Sequence, residues 1–347
     1  MSTPPSSLTR ADVSQALRRV DAPELEGYLP LSEASLMHVG DGFNDVFVLS
    51  PPQGKARDDR DTDRLVVKFG TYSEPRHLRA GVTAYQLLAE FTDLPVPEVV
   101  AFDQGDDQTP PFVAMEHRPG AALAGGFPDT ERATDPAAVR LLGAVMAAFG
   151  SIPARATDGY GYIQRTDYRD GSPVAVGEYD DCSSWLVEYG TELYDAAADH
   201  ESLNAIVPDV LEFLRANRNR LPEAPSPSVI ITDFSPANLM SRDGTPPNSV
   251  DELTGVIDLE RAKIGPLEFA AVNAEYLLTR YVDDPAPIRD ALYDPLPFGP
   301  GVPKRDFYRV LAMGRSVAAL PFWYDSEDEM YEQRAREIAS ELERIVR

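Results

Sequence analysis

The 347-residue sequence predicts an α+β chain in two lobes, a small antiparallel sheet carrying one helix followed by a mainly helical unit. Three observations predict it. Between residues 36 and 115 short strand-like runs, such as Val46 and Val48 interleaved with Phe47 and Leu49, are bounded by polar and turn residues and surround a single helical stretch. Beyond the segment Gly120–Pro136, which is rich in Gly, Pro and Asp, apolar residues recur every three or four residues, as on one face of a helix. The length suffices for one large or two medium domains with real cores. Strands first and helices second indicate segregated lobes. We expect an N-terminal extension with a short helix over 1–30, the sheet lobe over 31–115 and the helical lobe over 116–347.

Element by element, Arg10–Val20 predicts the short helix and Leu36–Val39 a first strand. Val46 and Val48 alternate within a second strand, the polar run Pro51–Asp63 reads as a loop, and Leu65–Phe69 resumes as a third. Leu78, Val82, Tyr85, Leu88 and Ala89 have helical spacing over Pro75–Phe91, and Pro95 and Pro97 stop that helix. Val99–Phe102 and Phe112–Met115 form a further hairpin. In the second lobe Val139, Leu142, Met146 and Phe149 share a helix face, with further helices over Trp185–Ala198, Leu203–Leu214, Pro266–Tyr281, Arg305–Leu320 and Met330–Val346. A strand pair, Val229–Ile231 with Thr254–Asp258, interrupts them.

Charge narrows the function. With 57 acidic against 32 basic residues the chain carries −25, which repels phosphate backbones and anionic lipid, and no compensating basic patch is visible. Nucleic acid and membrane surfaces are therefore not expected partners. Only four lysines occur (Lys55, Lys68, Lys263, Lys304), a balance that resembles proteins of salt-accumulating cells, although an acidic surface kept for solubility explains it as well. Under the salt-adapted (halophilic) reading, repulsion is screened near 1 M salt, where the Debye length is about 3 Å. Its unfolding midpoint should then rise with salt, and a midpoint independent of salt refutes it. One cysteine, Cys182, leaves no intrachain disulfide and fits a reducing compartment. The first twenty residues lack a signal peptide's apolar core, and the longest apolar stretch, Leu141–Phe149, is far below the ~20 residues of a membrane span. The expectation is a cytoplasmic protein.

The chemistry concentrates in Ile231-Thr232-Asp233-Phe234-Ser235-Pro236-Ala237-Asn238-Leu239, followed by Gly255-Val256-Ile257-Asp258-Leu259-Glu260. A strand ending in Asp233, a short loop carrying Asn238, and a strand ending in Asp258 can aim three oxygen-bearing groups into one cleft. Mg²⁺ is typically held by one or two carboxylates plus phosphate oxygens, and a remaining carboxylate can orient and deprotonate an attacking hydroxyl. Asp and Asn are also common turn and cap residues, and Ser235-Pro236 suits a helix start. Upstream, Gly40-Asp41-Gly42-Phe43-Asn44 lies between two strands, where glycine lets backbone approach phosphate, or simply closes a hairpin. Lys68 stands inside the apolar strand Leu65–Phe69. Facing inward, it needs an anionic partner, because burying an ammonium alone is costly; on an edge strand it faces water.

Taken together these segments resemble the aminoglycoside phosphotransferase and choline kinase-like superfamily, of protein-kinase-like fold, over roughly Ser35–Tyr281. The resemblance implies Asp233 as catalytic base, Asn238 and Asp258 as metal ligands, and Lys68 as partner of the nucleotide's phosphates. It makes Gly40, Gly42, Phe43 and Asn44 a phosphate loop, and Met115, Glu116 and His117 a hinge that binds the base. The implied function is transfer of a γ-phosphate from ATP or GTP, with Mg²⁺, to a hydroxyl of a small-molecule acceptor.

The chain departs from the pattern in places. Ile231 and Thr232 replace the usual His-Gly, and the helix glutamate expected to pair with Lys68 falls on Gly81, with Glu74 a substitute from the helix start. Glu268 either caps a helix or holds the catalytic loop. These departures keep open the alternative of a degenerate fold that binds nucleotide or a partner without transfer. The acidic residues of Glu178–Asp195 and Asp325–Glu332 either receive a cationic acceptor or are solvated surface. His38, His77 and His200 have no zinc-like spacing. A protein kinase is disfavoured, since no Ala-Pro-Glu segment follows Asp258.

Overall fold

The computed structural model describes residues 8–32, 36–39, 44–51, 64–71, 73–124, 135–195, 200–218, 221, 227–324 and 329–347. Gly40, Gly42, Phe43, most of the predicted 51–63 loop and the acidic residues 325–328 lie outside the described residues.

The first lobe is built on a five-stranded antiparallel sheet, in spatial order Leu36–His38, Asp45–Leu49, Leu65–Phe69, Phe112–Glu116, Val99–Asp103. Its central strand shows why the alternation matters. Leu65, Val67 and Phe69 are buried on one face, so Val66 and Lys68 must point to the other. The first face packs Phe47, Phe69 and Phe112, with ring centroids 6.0 and 5.3 Å apart, against Val13, Leu17 and Leu25 from the N-terminal region. The helix Arg10–Leu17 thus covers the back of the sheet, its start fixed by a Thr9–Asp12 capping box.

The opposite face is covered by the helix Pro75–Phe91, which begins with Pro75 in its first turn and buries Leu78, Ala84, Tyr85, Leu87 and Leu88. It ends where Thr92 returns its N–H and its hydroxyl to the Leu88 carbonyl, at 3.0 and 2.7 Å. This core is continuous with that of the second lobe, joining Leu88 and Val113 to Leu142, Trp185, Phe269 and Leu311.

The second lobe is mainly helical: Pro136–Gly150, Cys182–Asp195, Val207–Asn217, Leu267–Thr279, Ala286–Tyr293, Arg305–Trp323 and Glu329–Val346. The architecture is the α+β arrangement expected. Two details differ. The predicted pair Val229–Ile231 with Thr254–Asp258 does not exist: Ser228–Ile230 pairs with Lys263–Gly265, whereas Gly255–Val256 pairs with Leu239–Ser241. Short strands at Gly161–Tyr162, Arg165–Arg169 and Ser172–Val176, and the helix Ala286–Tyr293, were not expected; each is too short to build a clear period. Pro208 also breaks the predicted Leu203–Leu214 helix into Glu201–Asn204 and Val207–Asn217. No helix among the described residues is long and apolar enough to cross a membrane.

A buried ion network ties three of the helices. Glu275, 4% exposed, accepts from Arg289 Nε at 2.7 Å, Arg305 Nη2 at 2.5 Å and the Tyr293 hydroxyl at 2.9 Å. Burial alone would raise its pKa, but the hydrogen bonds from Arg305 and Arg289 prevail and hold it below the ordinary carboxylate range. A depressed folded pKa contributes stability above the unfolded value near 4.5 and loses it as pH falls through the lower folded value. Glu275→Ala should destabilise the fold by about 3 kcal/mol at pH 7, read by urea unfolding, since two arginines lose their buried counter-ion. The deficit should shrink below pH 4.

Candidate active site

Lys68 faces inward, as required of a lysine on the cavity side of the central strand. Its side chain is 17% exposed, and its Nζ lies 2.7 Å from Asp258 Oδ1 and 2.7 Å from Glu260 Oε1. Burial favours the neutral amine, but the two carboxylates outweigh it and push the pKa above the ordinary lysine value. The Lys68 ammonium in turn holds Asp258 below its usual range, while burial and Asp258 raise Glu260. Asp258 is 48% exposed and sits in the left-handed region, φ 60°, just past the strand Gly255–Val256. That strained turn ends the strand and brings both carboxylates to one ammonium.

Asn44, predicted to contact phosphate, is buried instead against Glu260. Its Nδ2 donates to Glu260 Oε2 at 3.0 Å and to Ser73 Oγ at 3.1 Å. Glu74 pairs with Arg76 at 2.8 Å rather than with Lys68. Glu268 lies in the first turn of Leu267–Thr279, where a carboxylate complements the helix dipole.

The loop bearing Asp233 is held by a scaffold the sequence did not reveal. Asn273, buried in the helix Leu267–Thr279, donates to the Thr232 carbonyl. The Thr232 hydroxyl accepts from Lys263 Nζ at 3.1 Å and from Arg315 Nε at 3.1 Å. Arg315 then places Nη2 3.1 Å from Asp233 Oδ2, while Asp233 stays 43% exposed. The residue that stands in place of a glycine is therefore the anchor for two cations beside Asp233. Ser235 caps the short 3-10 turn Pro236–Asn238, and the Asn238 Oδ1 accepts from the Ser235 N–H at 2.8 Å. Its amide oxygen points back into the loop, and its carbonyl accepts from the Ile257 N–H at 2.9 Å, joining the Asn238 and Asp258 segments.

Lys263 is fully buried, with Nζ 4.4 Å from the Tyr162 ring centroid and 5.6 Å from that of Tyr189. Burial pushes it down to about 7; Asp233 opposes this, and Arg315, Arg261 and Arg76 add to it. From pH 7 towards the ordinary lysine value of 10.5 the unfolded chain therefore binds more protons, and stability should rise with pH. We expect an upward slope of unfolding free energy between pH 7 and 9.5 that Lys263→Met flattens, measured by urea titrations across that window. An unchanged slope in the variant would show that Lys263 titrates normally.

Between the lobes lies a cavity of about 410 Å³, walled by Val46, Val48, Val66 and Val113 from the sheet and by Met240 and Ile257 from below. Lys68, Met115, Glu116, His117, Asp258 and Glu260 line it as well; Asp233 and Asn238 are not among its lining residues. The N–H groups of Glu116 and His117 are already given to Glu98 and Arg64 carbonyls, at 2.8 and 3.0 Å. Any hinge contact to a bound base must come from other groups of this segment. In the helix Cys182–Asp195, burial together with Glu178 and Glu188 raises the pKa of Glu192, with Arg76 opposing. Among the described residues no group of three or more His, Cys, Asp or Glu side chains could by itself hold a metal.

The sequence model of the phosphotransferase enzyme family (APH) matches residues 52–274, well over half of the chain, a span that includes Lys68, Asp233, Asn238, Asp258 and Glu260. The chain belongs to this family. Solved structures with the same fold include a thermostable mutant of aminoglycoside phosphotransferase APH(4)-Ia in ternary complex with ADP and hygromycin B. It has TM-score 0.63 and 16% identity, covering 96% of this chain and 98% of that one. Another is a GDP complex of aminoglycoside 2'-phosphotransferase-IIIa, at 0.55 and 16%, covering 92% and 95%. A choline/ethanolamine kinase family protein from Mesorhizobium loti follows at 0.52 and 14%, covering 96% and 94%. At such identities the likeness shows the protein-kinase-like fold of the family. No curated protein sequence matched the chain.

Three residues of this candidate site carry little or no local signal of a role there. Glu260 had a slight one, its place two residues past Asp258. Lys263 had a weak one, a lysine between apolar Ala262 and Ile264 in a lysine-poor chain. Arg315 had none, since it comes from a helix 82 positions beyond Asp233 and only folding brings it there.

Proposed function

We propose that the chain is a kinase that transfers the γ-phosphoryl group of ATP or GTP to a hydroxyl of a small molecule. The observation that carries this reading is the meeting of Lys68 and Asp258 on the wall of an apolar cavity sized for a nucleotide base, with the exposed Asp233 held on the adjoining loop. Related folds bound to ADP with hygromycin B, and to GDP, support a nucleotide in the cleft and a hydroxylated acceptor beside it.

In this reading the aliphatic walls and the 115–117 hinge take the base, and Lys68 takes the phosphates. The Asp258 carboxylate and the Asn238 amide oxygen, once turned outward, are hard oxygen donors that suit Mg²⁺ when phosphate oxygens complete its shell. Bound there, the ion neutralises charge on the phosphate oxygens. Arg315 fixes one carboxylate oxygen of Asp233, which leaves the other to receive the acceptor hydroxyl, orient it and take its proton as it attacks phosphorus. Placement and electrostatics supply the catalysis. The same reading assigns 31–115 to the nucleotide lobe and 116–347 to the acceptor lobe, with the described part of the 1–30 extension, from Leu8 on, packed behind the sheet.

Metal-dependent hydrolysis of ATP and GTP in high salt, with a panel of hydroxylated metabolites and aminoglycosides added, tests it. Stimulation by one compound with a phosphorylated product supports the kinase and names its acceptor class. Nucleotide binding without transfer to any compound would favour the degenerate reading instead.

A further inference from the structure

We propose that Glu260, not a residue of the helix Pro75–Phe91, is the carboxylate that positions Lys68 on the nucleotide's phosphates, and that Gly81 favours this by leaving room for the Glu260 backbone. The inference rests on the kinase reading above and deepens it.

Four residues of that helix line the cavity, Leu78, Gly81, Val82 and Tyr85, and none carries a carboxylate. Lys68 instead meets Asp258 and Glu260, each at 2.7 Å. These two are not equivalent. Asp258 is half-exposed and is the proposed metal ligand, so a bound ion and its phosphates compete with Lys68 for it. Glu260 is 15% exposed; its Oε2 accepts a hydrogen bond from Asn44, itself tied to Ser73, while its Oε1 lies in ion-pair contact with Lys68 at 2.7 Å, outside hydrogen-bond alignment. A carboxylate fixed in this way keeps the ammonium aimed after Asp258 has been taken by the ion, and supplies the counter-charge a buried lysine requires.

Gly81 supplies the steric half of the argument. A Cβ built there would lie 3.3 Å from the backbone N and Cα of Glu260 and from the carbonyl carbon of Leu259. The helix and the 259–260 backbone are in direct contact at that point. That is tighter than an ordinary van der Waals contact, so a side chain at 81 would press the 259–260 backbone, and with it Glu260, away from the helix by a few tenths of an ångström. The missing helix side chain thus favours the close approach that keeps the Glu260 carboxylate at Lys68.

The test uses the full-length protein with Lys68→Met, Glu260→Gln and the double variant. In urea unfolding without nucleotide, the two substitutions should be non-additive, because each removes the same contact. Additive losses would overturn the pairing. In turnover assays Glu260→Gln should lose roughly 10–100-fold in kcat, the cost of a misaimed group, with the Mg²⁺ concentration for half-maximal rate unchanged. If that concentration rose ten-fold or more and excess Mg²⁺ restored the rate, Glu260 would be a metal ligand and the proposal would fall. A wild type that binds nucleotide but transfers nothing would defeat the kinase reading, and the unfolding cycle alone would then decide the pairing.

Discussion

Asp233→Asn should reduce turnover by roughly 10²–10⁴-fold, the usual worth of a positioned general base, and leave nucleotide binding intact. The substitution keeps the size of the side chain and its ability to accept a hydrogen bond from Arg315, so the loop held by Thr232 and Asn273 should not move. What it removes is the charge and the site that takes the hydroxyl proton. Asp233 is not among the residues lining the cavity, and the Lys68–Asp258 contact does not depend on it. Nucleotide affinity, followed by calorimetry, should therefore stay within about two-fold of wild type, well under the ten-fold that 1.4 kcal/mol represents. Equal turnover in the two proteins would remove Asp233 from its role.

Asp258→Ala should be at least as damaging, for a different reason. It deletes the carboxylate proposed to hold the metal, and with it several kcal/mol of charge stabilisation, or about 10³-fold in rate. Lys68 should stay in place on Glu260, 2.7 Å away. The variant should then bind ATP or GTP equally well with Mg²⁺ and with a chelator, whereas wild type should bind better with the ion. A variant whose affinity still rises with Mg²⁺ would show that the metal is held elsewhere. The two variants separate the roles, since Asp233→Asn should retain the metal effect on binding and Asp258→Ala should lose it.

Much of the nucleotide lobe is legible in the sequence because its strands are half-buried. Leu65–Phe69 alternates between two faces, which sets Lys68 opposite Leu65, Val67 and Phe69, and the structure shows that this second face is the cavity wall rather than an open edge. The helix Pro75–Phe91 is equally plain, with Pro75 at its start and Pro95 and Pro97 beyond its end. Reading fails where elements are two or three residues long. Gly255–Val256 and Ser228–Ile230 look like partners by sequence, but each pairs with a strand too short to show a period, Leu239–Ser241 and Lys263–Gly265. The role of Asn44 toward Glu260 is hidden for a related reason: a residue after a glycine turn suggests phosphate, and only packing shows that it also donates to Glu260.

The sequence by itself determined the α+β order of strands and helices and the candidates Lys68, Asp233, Asn238 and Asp258, because strand patterns and short motifs are local and survive without the fold. Only the tertiary structure decided how those groups are held. Glu260 meets Lys68 across nearly two hundred positions of chain, where Gly81 of the helix Pro75–Phe91 lies close to its backbone, and Arg315 meets Asp233 because a helix 82 positions later packs against the Asp233 loop. Salt bridges and hydrogen bonds act through a few ångströms of space. No pattern along the chain encodes which distant residues folding will bring within that reach.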